Sequence, residues 1–418
     1  MDKLEIIGGR TLQGSVEVSG SKNASLPILA SCILTNKVVL KNVPLVTDIQ
    51  TMLNLLSSIG SKIKINHQNK TIKIDNSKKH KTVAKYQLVK TMRAGVLVLG
   101  PLLAKYGKAT VSLPGGCSIG PRPIDLHISA LKKMGAKIKI NNGYIHATAK
   151  YGLKGAKINF KKVSVGATEN LIIAACMANG KTILNNCASE PEIKDLTNFL
   201  VKIGSKIRWI NKRKIEIKGV KKLINANYPI MFDRIEAGTF MIAAAATRGS
   251  LAIKNIQPRI INKEIYILKK MGVKIIEKKN KITVIGSKKL RGIKINTLPY
   301  PGFPTDLQAQ IMVLMCRAIG NSKIQENIFE NRFMHVAELN RMGADIKVKG
   351  KQATIIGNKK LSGAELMATD LRASASLVIA ALTSSKKSTI NRIYHLDRGY
   401  EKMEKKLLKC GAHIRRVK

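Results

Sequence analysis

Six glycines constrain this chain more than any other feature. Gly60, Gly135, Gly204, Gly272, Gly343 and Gly411 stand 75, 69, 68, 71 and 68 residues apart. Each closes an apolar helical pattern and opens a strand-like one, as in Leu131-Lys132-Lys133-Met134-Gly135-Ala136-Lys137-Ile138 and Leu268-Lys269-Lys270-Met271-Gly272-Val273-Lys274-Ile275. Glycine suits the left-handed position that stops a helix and launches a strand. A second kind of helix precedes each signature; it is rich in small residues and apolar nearly all round, so it is expected to be buried. These helices begin near Asn23, Arg93, Ala167, Glu236, Thr305 and Asp370. The fold class is therefore α/β, built from six repeats of about 70 residues. Each repeat holds a buried helix, a strand, an amphipathic helix and a pair of strands. Gly/Asn turns join the pairs, as in Lys139-Ile140-Asn141-Asn142-Gly143-Tyr144-Ile145.

The last repeat, residues 370–418, is short, and residues 1–22 have the length and strand character to complete it. Three repeats then form a first domain, residues 22–229, which carries the loop around Cys117. The other three form a second domain, residues 1–21 plus 230–418, and the chain crosses twice. Ligands commonly bind between domains, so the expected active site lies in that cleft.

Composition sets the outer bounds. No apolar run of the 418-residue chain approaches the ~20 residues that span a bilayer, and Met1-Asp2-Lys3-Leu4-Glu5 does not open a signal peptide. The six cysteines (32, 117, 176, 187, 316 and 410) form no Cys-x-x-Cys pair and lack the histidines of a zinc site. A cytoplasmic, reduced protein without metal is expected. The net charge of +49 would ordinarily point to nucleic acid or an anionic membrane. But the excess is lysine, 57 against 17 arginines, spread along the whole chain beside abundant isoleucine and asparagine. A single tryptophan and nine tyrosines leave few platforms for stacking bases. The charge reads as compositional drift, and neither a nucleic-acid nor a membrane partner is expected.

Candidate chemistry sits in loops. Cys117 lies in Pro114-Gly115-Gly116-Cys117-Ser118-Ile119-Gly120-Pro121-Arg122-Pro123, which cannot be a helix interior or a central strand. No acid lies between Pro101 and Ile124, while Lys105, Lys108 and Arg122 do. Nearby positive charge favours a reactive thiolate; the plainer alternative is a small hydrophobe in a turn. The segments leading into the buried helices hold the rest: Lys22-Asn23, Met92-Arg93, Ser164 to Asn170, Phe232-Asp233-Arg234-Ile235-Glu236, Pro304-Thr305-Asp306 and Asp370-Leu371-Arg372. Helix starts attract anions, although Asn23, Ser164, Thr305 and Asp370 could simply be caps. Lys22, Arg93 and Arg234 are disfavoured there by the helix dipole, which places something anionic between. Arg332 and Arg398 stand out in a lysine-rich chain as planar, bidentate donors, unless they merely pair with Glu330 and Asp397.

On these residues the chain resembles the UDP-N-acetylglucosamine enolpyruvyl transferases, essentially end to end. The matching segments are Ser19-Gly20-Ser21-Lys22-Asn23, residues 88–94, 113–127 with Cys117, 163–169, 300–310, 330–334, 370–373 and Asp397-Arg398-Gly399-Tyr400. The resemblance implies two inside-out α/β domains, each of three βαβαββ units. It implies transfer of the enolpyruvyl group of phosphoenolpyruvate to the 3-hydroxyl of UDP-N-acetylglucosamine, by addition and elimination with release of phosphate. This is the first committed step of peptidoglycan precursor synthesis. Cys117, Asp306, Lys22 and Arg398 would be catalytic, with Cys117 protonating C3 or forming an adduct. Lys22, Asn23, Arg122, Arg332, Arg372 and Arg398 would bind phosphoenolpyruvate. Asn23, Arg93, Arg122, Pro123, Ile124, Asp125, Leu126, Lys162, Val163, Ser164, Val165, Asp306 and Ile328 would hold the nucleotide sugar, Ile328 through its backbone. No cofactor is implied, and a monomer is expected. The rivals are the shikimate-pathway enolpyruvyl transferases, which lack the cysteine loop, and a basic nucleic-acid-binding protein on the same scaffold.

Overall fold

The glycine signatures fold as the local chemistry dictates. In a computed structural model describing residues 2–78, 80–90, 92–113, 115 and 124–418, all six glycines have positive φ, from 88° to 121°. In every copy the glycine N–H returns to the carbonyl three residues back, and the next N–H to the one five back. Gly135 bonds Lys132 and Ala136 bonds Leu131; Gly272 bonds Lys269 and Val273 bonds Leu268. This double closure satisfies carbonyls that a helix end leaves open. Asn142 and Gly143 both have positive φ, 49° and 74°, which lets a two-residue turn join Lys137–Asn141 to Tyr144–Thr148.

Among the described residues the chain divides into two compact units, one from 2–19 with Phe232–Lys418 and the other from 20–113 with 124–231. Each unit contains three four-stranded sheets, and every sheet has the same order. In one, Lys157–Asn159 runs parallel to Lys181–Asn185. That strand is antiparallel to Lys214–Lys218, which is antiparallel in turn to Lys206–Asn211. The helix Val165–Ala175 connects Lys157–Asn159 to Lys181–Asn185, and Pro191–Lys202 connects Lys181–Asn185 to Lys206–Asn211, giving βαβαββ along the chain. Within each unit the small-residue helices lie at the centre. Arg234–Ala246, Gln308–Arg317 and Leu371–Thr383 pack on one another and are almost wholly buried. The sheets lie outside, with one apolar face inward, as in Lys214–Lys218, where Ile215 and Ile217 are buried. No helix among the described residues is long and apolar enough to cross a membrane.

The N-terminal segment corrects one expectation. It does not go whole into the sixth repeat. Lys3–Ile7 does, lying between Lys387–Asn391 and His413–Val417. Gln13–Glu17 instead runs parallel to Ser250–Lys254 as the first strand of the fourth repeat. In the other unit Ala226–Pro229 returns to pair with Lys37–Lys41 of the first repeat. Each unit thus closes on itself, because a first strand contributed from elsewhere covers a sheet edge that would otherwise be open.

One buried carboxylate ties down the end of the 20–231 unit. Asp195 accepts hydrogen bonds from the Tyr228 hydroxyl at 2.6 Å and from the Met231 N–H at 3.1 Å. Burial raises its pKa from 3.8 to about 6. The folded state therefore holds a proton that the unfolded chain has released, so this group lowers stability as pH rises from about 4 to about 6. The difference is worth about 3 kcal/mol. Glu169 and Glu236, raised chiefly by burial, act in the same sense. Asp195→Asn is expected to shrink the stability lost between pH 4 and pH 7, measured by urea unfolding at each pH. An unchanged slope would show that Asp195 does not titrate there.

Candidate active site

In the unit formed by 2–19 and Phe232–Lys418, three of the expected residues converge. Asp306 sits in the short 3₁₀ turn Thr305–Leu307 that leads into Gln308–Arg317. Its two carboxylate oxygens are taken separately: Arg332 Nη2 is 2.9 Å from Oδ1, and Arg372 Nη2 is 2.7 Å from Oδ2. The arginines are 5% and 4% exposed, while the Asp306 side chain is 27% exposed. The carboxylate is thus clamped from behind by two buried cations and still reaches solvent. Burial works against the charge on Arg372, but Asp306, then Tyr400 and Asp233, more than offset it and hold the guanidinium above its ordinary range.

Local sequence explains how Asp306 is seated. Next to it, Leu307 packs on Gly238 of the Arg234–Ala246 helix, where a Cβ would lie 2.4 Å from Leu307 Cδ1. Gly399, between Arg398 and Tyr400, allows the same close approach to Leu371, where a Cβ would lie 2.7 Å from Cδ2. Glu326, fully buried, accepts from Thr305 Oγ1 at 3.0 Å and from the N–H groups of Ile328 and Phe329 at 2.8 and 3.1 Å. The Ile328 N–H is therefore already engaged, so a backbone contact from Ile328 to a ligand falls to its carbonyl.

Two alternatives for the arginines are corrected here. Arg332 pairs with Asp306 rather than Glu330, and Asp397 gives both oxygens to Arg416, at 3.0 and 2.6 Å, rather than to Arg398. Arg398 follows the short helix Tyr394–Asp397 and lies close enough to His395 to lower that imidazole's pKa, after burial.

The capping alternative also resolves. Ser164 and Asp370 are caps: Ser164 accepts from the Ala167 N–H at 3.3 Å, and Asp370 from Arg372 and Ala373 at 2.8 and 3.1 Å. Asn23 and Thr305 are not. Ser21 caps the first helix, and Thr305 bonds Glu326. The dipole argument at Lys22 and Arg234 has an internal answer as well. Lys22 Nζ lies 3.3 Å from Asp48, and Arg234 lies 3.6 Å from Glu264, all four side chains nearly buried.

In the 20–231 unit, Lys22 opens the helix Lys22–Ser31. Arg93 opens the turn Arg93–Val98, where its charge bears on Glu169 and on His127. His127, held at Nδ1 by Asn170 at 3.0 Å, is kept neutral: burial first, then Arg93, lowers it to about 4. Ile124 and Asp125 begin the helix Asp125–Lys133, with Asp125 exposed and Leu126 half-buried. Lys162 and Val165 are exposed, and Val163 and Ser164 half-buried. Cys117, Arg122 and Pro123 lie outside the described residues.

Sequence reasoning gave no role to Glu326, Tyr400, Gln310 or Thr239, all buried beside Asp306. The available signal was a polar residue inside an otherwise apolar helix, as with Thr239 among the alanines of Arg234–Ala246 and Gln310 in Gln308–Arg317.

Residues 6–407 match the family described as EPSP synthase (3-phosphoshikimate 1-carboxyvinyltransferase), and the chain belongs to this enolpyruvyl transferase family. Within it, the chain is 63% identical over 418 residues, all of both chains, to the UDP-N-acetylglucosamine 1-carboxyvinyltransferase of Pelagibacter ubique. It is 55% identical to the enzyme of the same name from Geotalea daltonii and 52% identical to that from Rickettsia africae, again over all of both chains. Among solved structures, the enolpyruvyl transferase NikO from Streptomyces tendae matches with a TM-score of 0.90 at 24% identity, covering 100% of this chain and 99% of that one. EPSP synthase from Acinetobacter baumannii matches all of both chains with a TM-score of 0.79 at 20% identity. These two likenesses establish the fold.

Proposed function

We propose that this chain transfers the enolpyruvyl group of phosphoenolpyruvate to the 3-hydroxyl of UDP-N-acetylglucosamine and releases inorganic phosphate. In the first step C3 of the enol gains a proton, the sugar oxygen bonds to C2, and the hydroxyl proton leaves. In the second, C3 loses a proton and the C2–O bond to phosphate breaks. Cys117 is the acid to C3 and Asp306 the base to the hydroxyl. Lys22, Arg122, Arg332, Arg372 and Arg398 neutralise the phosphoenolpyruvate anion, and the Asn23 amide hydrogen-bonds to it. Arg93, residues 122–126, residues 162–165 and Ile328 hold the nucleotide sugar. The enzyme acts as a monomer in the cytoplasm on these two small molecules, and the proton transfers need no cofactor.

The observation that carries this reading is the Asp306 carboxylate held between Arg332 and Arg372, in a chain with end-to-end identity to enzymes named for this activity. The shikimate-pathway reading has the family description and a 20% identical structural neighbour in its favour, against 52–63% identity over the full chain to enzymes named for transfer to UDP-N-acetylglucosamine. Phosphate release, with each substrate omitted in turn and with shikimate 3-phosphate offered instead, tests the proposal. Release should require phosphoenolpyruvate and UDP-N-acetylglucosamine together. Release with shikimate 3-phosphate, or without the sugar nucleotide, would overturn it.

A further inference from the structure

Behind Asp306 lies a buried polar cluster that the reaction as written does not use. Tyr400 is 2% exposed, and its hydroxyl meets three side chains: Arg372 Nη1 at 3.2 Å, Gln310 Nε2 at 3.1 Å and Thr239 Oγ1 at 2.8 Å. Thr239 and Gln310 are fully buried. The proton directions follow from the partners. Guanidinium and amide N–H groups can only donate, so the phenol oxygen accepts from both. Thr239 Oγ1 donates to the Ile235 carbonyl at 2.8 Å, so it accepts the Tyr400 proton. Gln310 Nε2 also reaches the Asp306 carbonyl at 3.0 Å, four residues back along the chain.

Arg372 is thereby held at both ends. Nη2 donates to Asp306 Oδ2 and Nη1 donates to the phenol, with the guanidinium carbon 5.5 Å from the ring centroid. Three polar residues from different segments meet at this one point of an apolar core. Burying a hydroxyl is unfavourable unless it is hydrogen-bonded, and alanine or phenylalanine would fill the same positions without that demand. We propose that Tyr400, oriented by Thr239 and supported by Gln310, is a positioning residue that fixes Arg372 and through it the Asp306 carboxylate for the reaction. This rests on the proposed function in taking Asp306 as the base and Arg372 as an anion ligand.

The test compares Tyr400→Phe, Thr239→Val and Thr239→Ser with the wild type. Loss of the phenol hydroxyl lets the guanidinium swing, and small misplacements in a preorganised site are costly. Tyr400→Phe should lower kcat about 10-fold and raise KM for phosphoenolpyruvate about 5-fold, on the scale set by such misplacement. KM for UDP-N-acetylglucosamine should stay within about twofold. Thr239→Val should move the same constants in the same direction, while Thr239→Ser, which keeps the hydroxyl, should restore them. Calorimetric titration with phosphoenolpyruvate in the absence of UDP-N-acetylglucosamine, where no transfer can take place, gives a readout independent of turnover. Weaker binding in Tyr400→Phe and Thr239→Val but not in Thr239→Ser supports the assignment. Variants that lose melting temperature yet keep both constants and the binding affinity would overturn it. If Tyr400→Phe fails to fold, the Thr239 pair decides alone. A wild-type chain that turns over neither substrate sinks the proposed reaction; the binding comparison still decides the role of Tyr400.

Discussion

Asp306→Asn is expected to cut turnover by roughly 100-fold or more, the scale of removing a positioned base, while binding of UDP-N-acetylglucosamine changes little. The substitution keeps the volume and one acceptor oxygen but removes the charge shared by Arg332 and Arg372. A structural cost is expected alongside. Breaking a fully buried ion pair costs about 3–5 kcal/mol, and the cost here should be smaller because the Asp306 side chain is 27% exposed. The two effects separate on measurement of both turnover and melting temperature. Both Asp306 oxygens are engaged by arginines, so its place at the helix start is accounted for without a capping role. A destabilised but fully active variant would show that Asp306 is only the counter-ion of the two arginines.

An epoxide phosphonate resembling phosphoenolpyruvate should alkylate one thiol per chain, Cys117. The case rests as much on the other five cysteines as on this one. Cys32, Cys176, Cys187, Cys316 and Cys410 are all buried, and burial pushes every one of these thiols up: Cys176 and Cys316 to about 12, and Cys187 to about 11. None of them offers an accessible thiolate near neutral pH. Cys117, flanked by Lys105, Lys108 and Arg122 in the sequence, is expected to do so. Peptide mass mapping after labelling should find a single modified site, and Cys117→Asp should keep activity while escaping the label, because a carboxylic acid can still deliver a proton. Label distributed over Cys187 and Cys410 would refute the assignment.

What could be read from the chain in advance was local. The six helix-stopping glycines are local signals, since glycine alone takes positive φ at little cost, and they exposed the repeats. Caps were only half readable: Asn23, Ser164, Thr305 and Asp370 looked alike in the sequence, and of these Ser164 and Asp370 alone cap their helices. The destinations of Gln13–Glu17 and Ala226–Pro229 were not readable, because a strand's own alternation does not say which distant edge it will cover. The partners of Lys22 and Arg234 were missed similarly. A cation at a helix start signals a nearby anion, but nothing local distinguishes Asp48 or Glu264 from a bound ligand. Asp306, Arg332 and Arg372 were each singled out as candidates. Their meeting on one carboxylate, with Tyr400 behind it, joins segments far apart in the chain, which no local pattern records.

The strand Lys3–Ile7 has a consequence for the order in which the protein can be made. Its neighbours are Lys387–Asn391 and His413–Val417, so the first of the described strands to be made needs strands made about 380 residues later to form its sheet. The 20–231 unit has no such debt, because its last contribution is Ala226–Pro229. At translation rates of about 5–20 residues per second, Lys3–Ile7 waits roughly 20–80 s for its partners, with Ile7 and His413 adjacent in the finished sheet. During that interval the helices of the later unit emerge while their own sixth sheet is incomplete. Vectorial synthesis therefore lets the 20–231 unit assemble its sheets before the unit bearing Asp306, whose sixth sheet waits for His413–Val417.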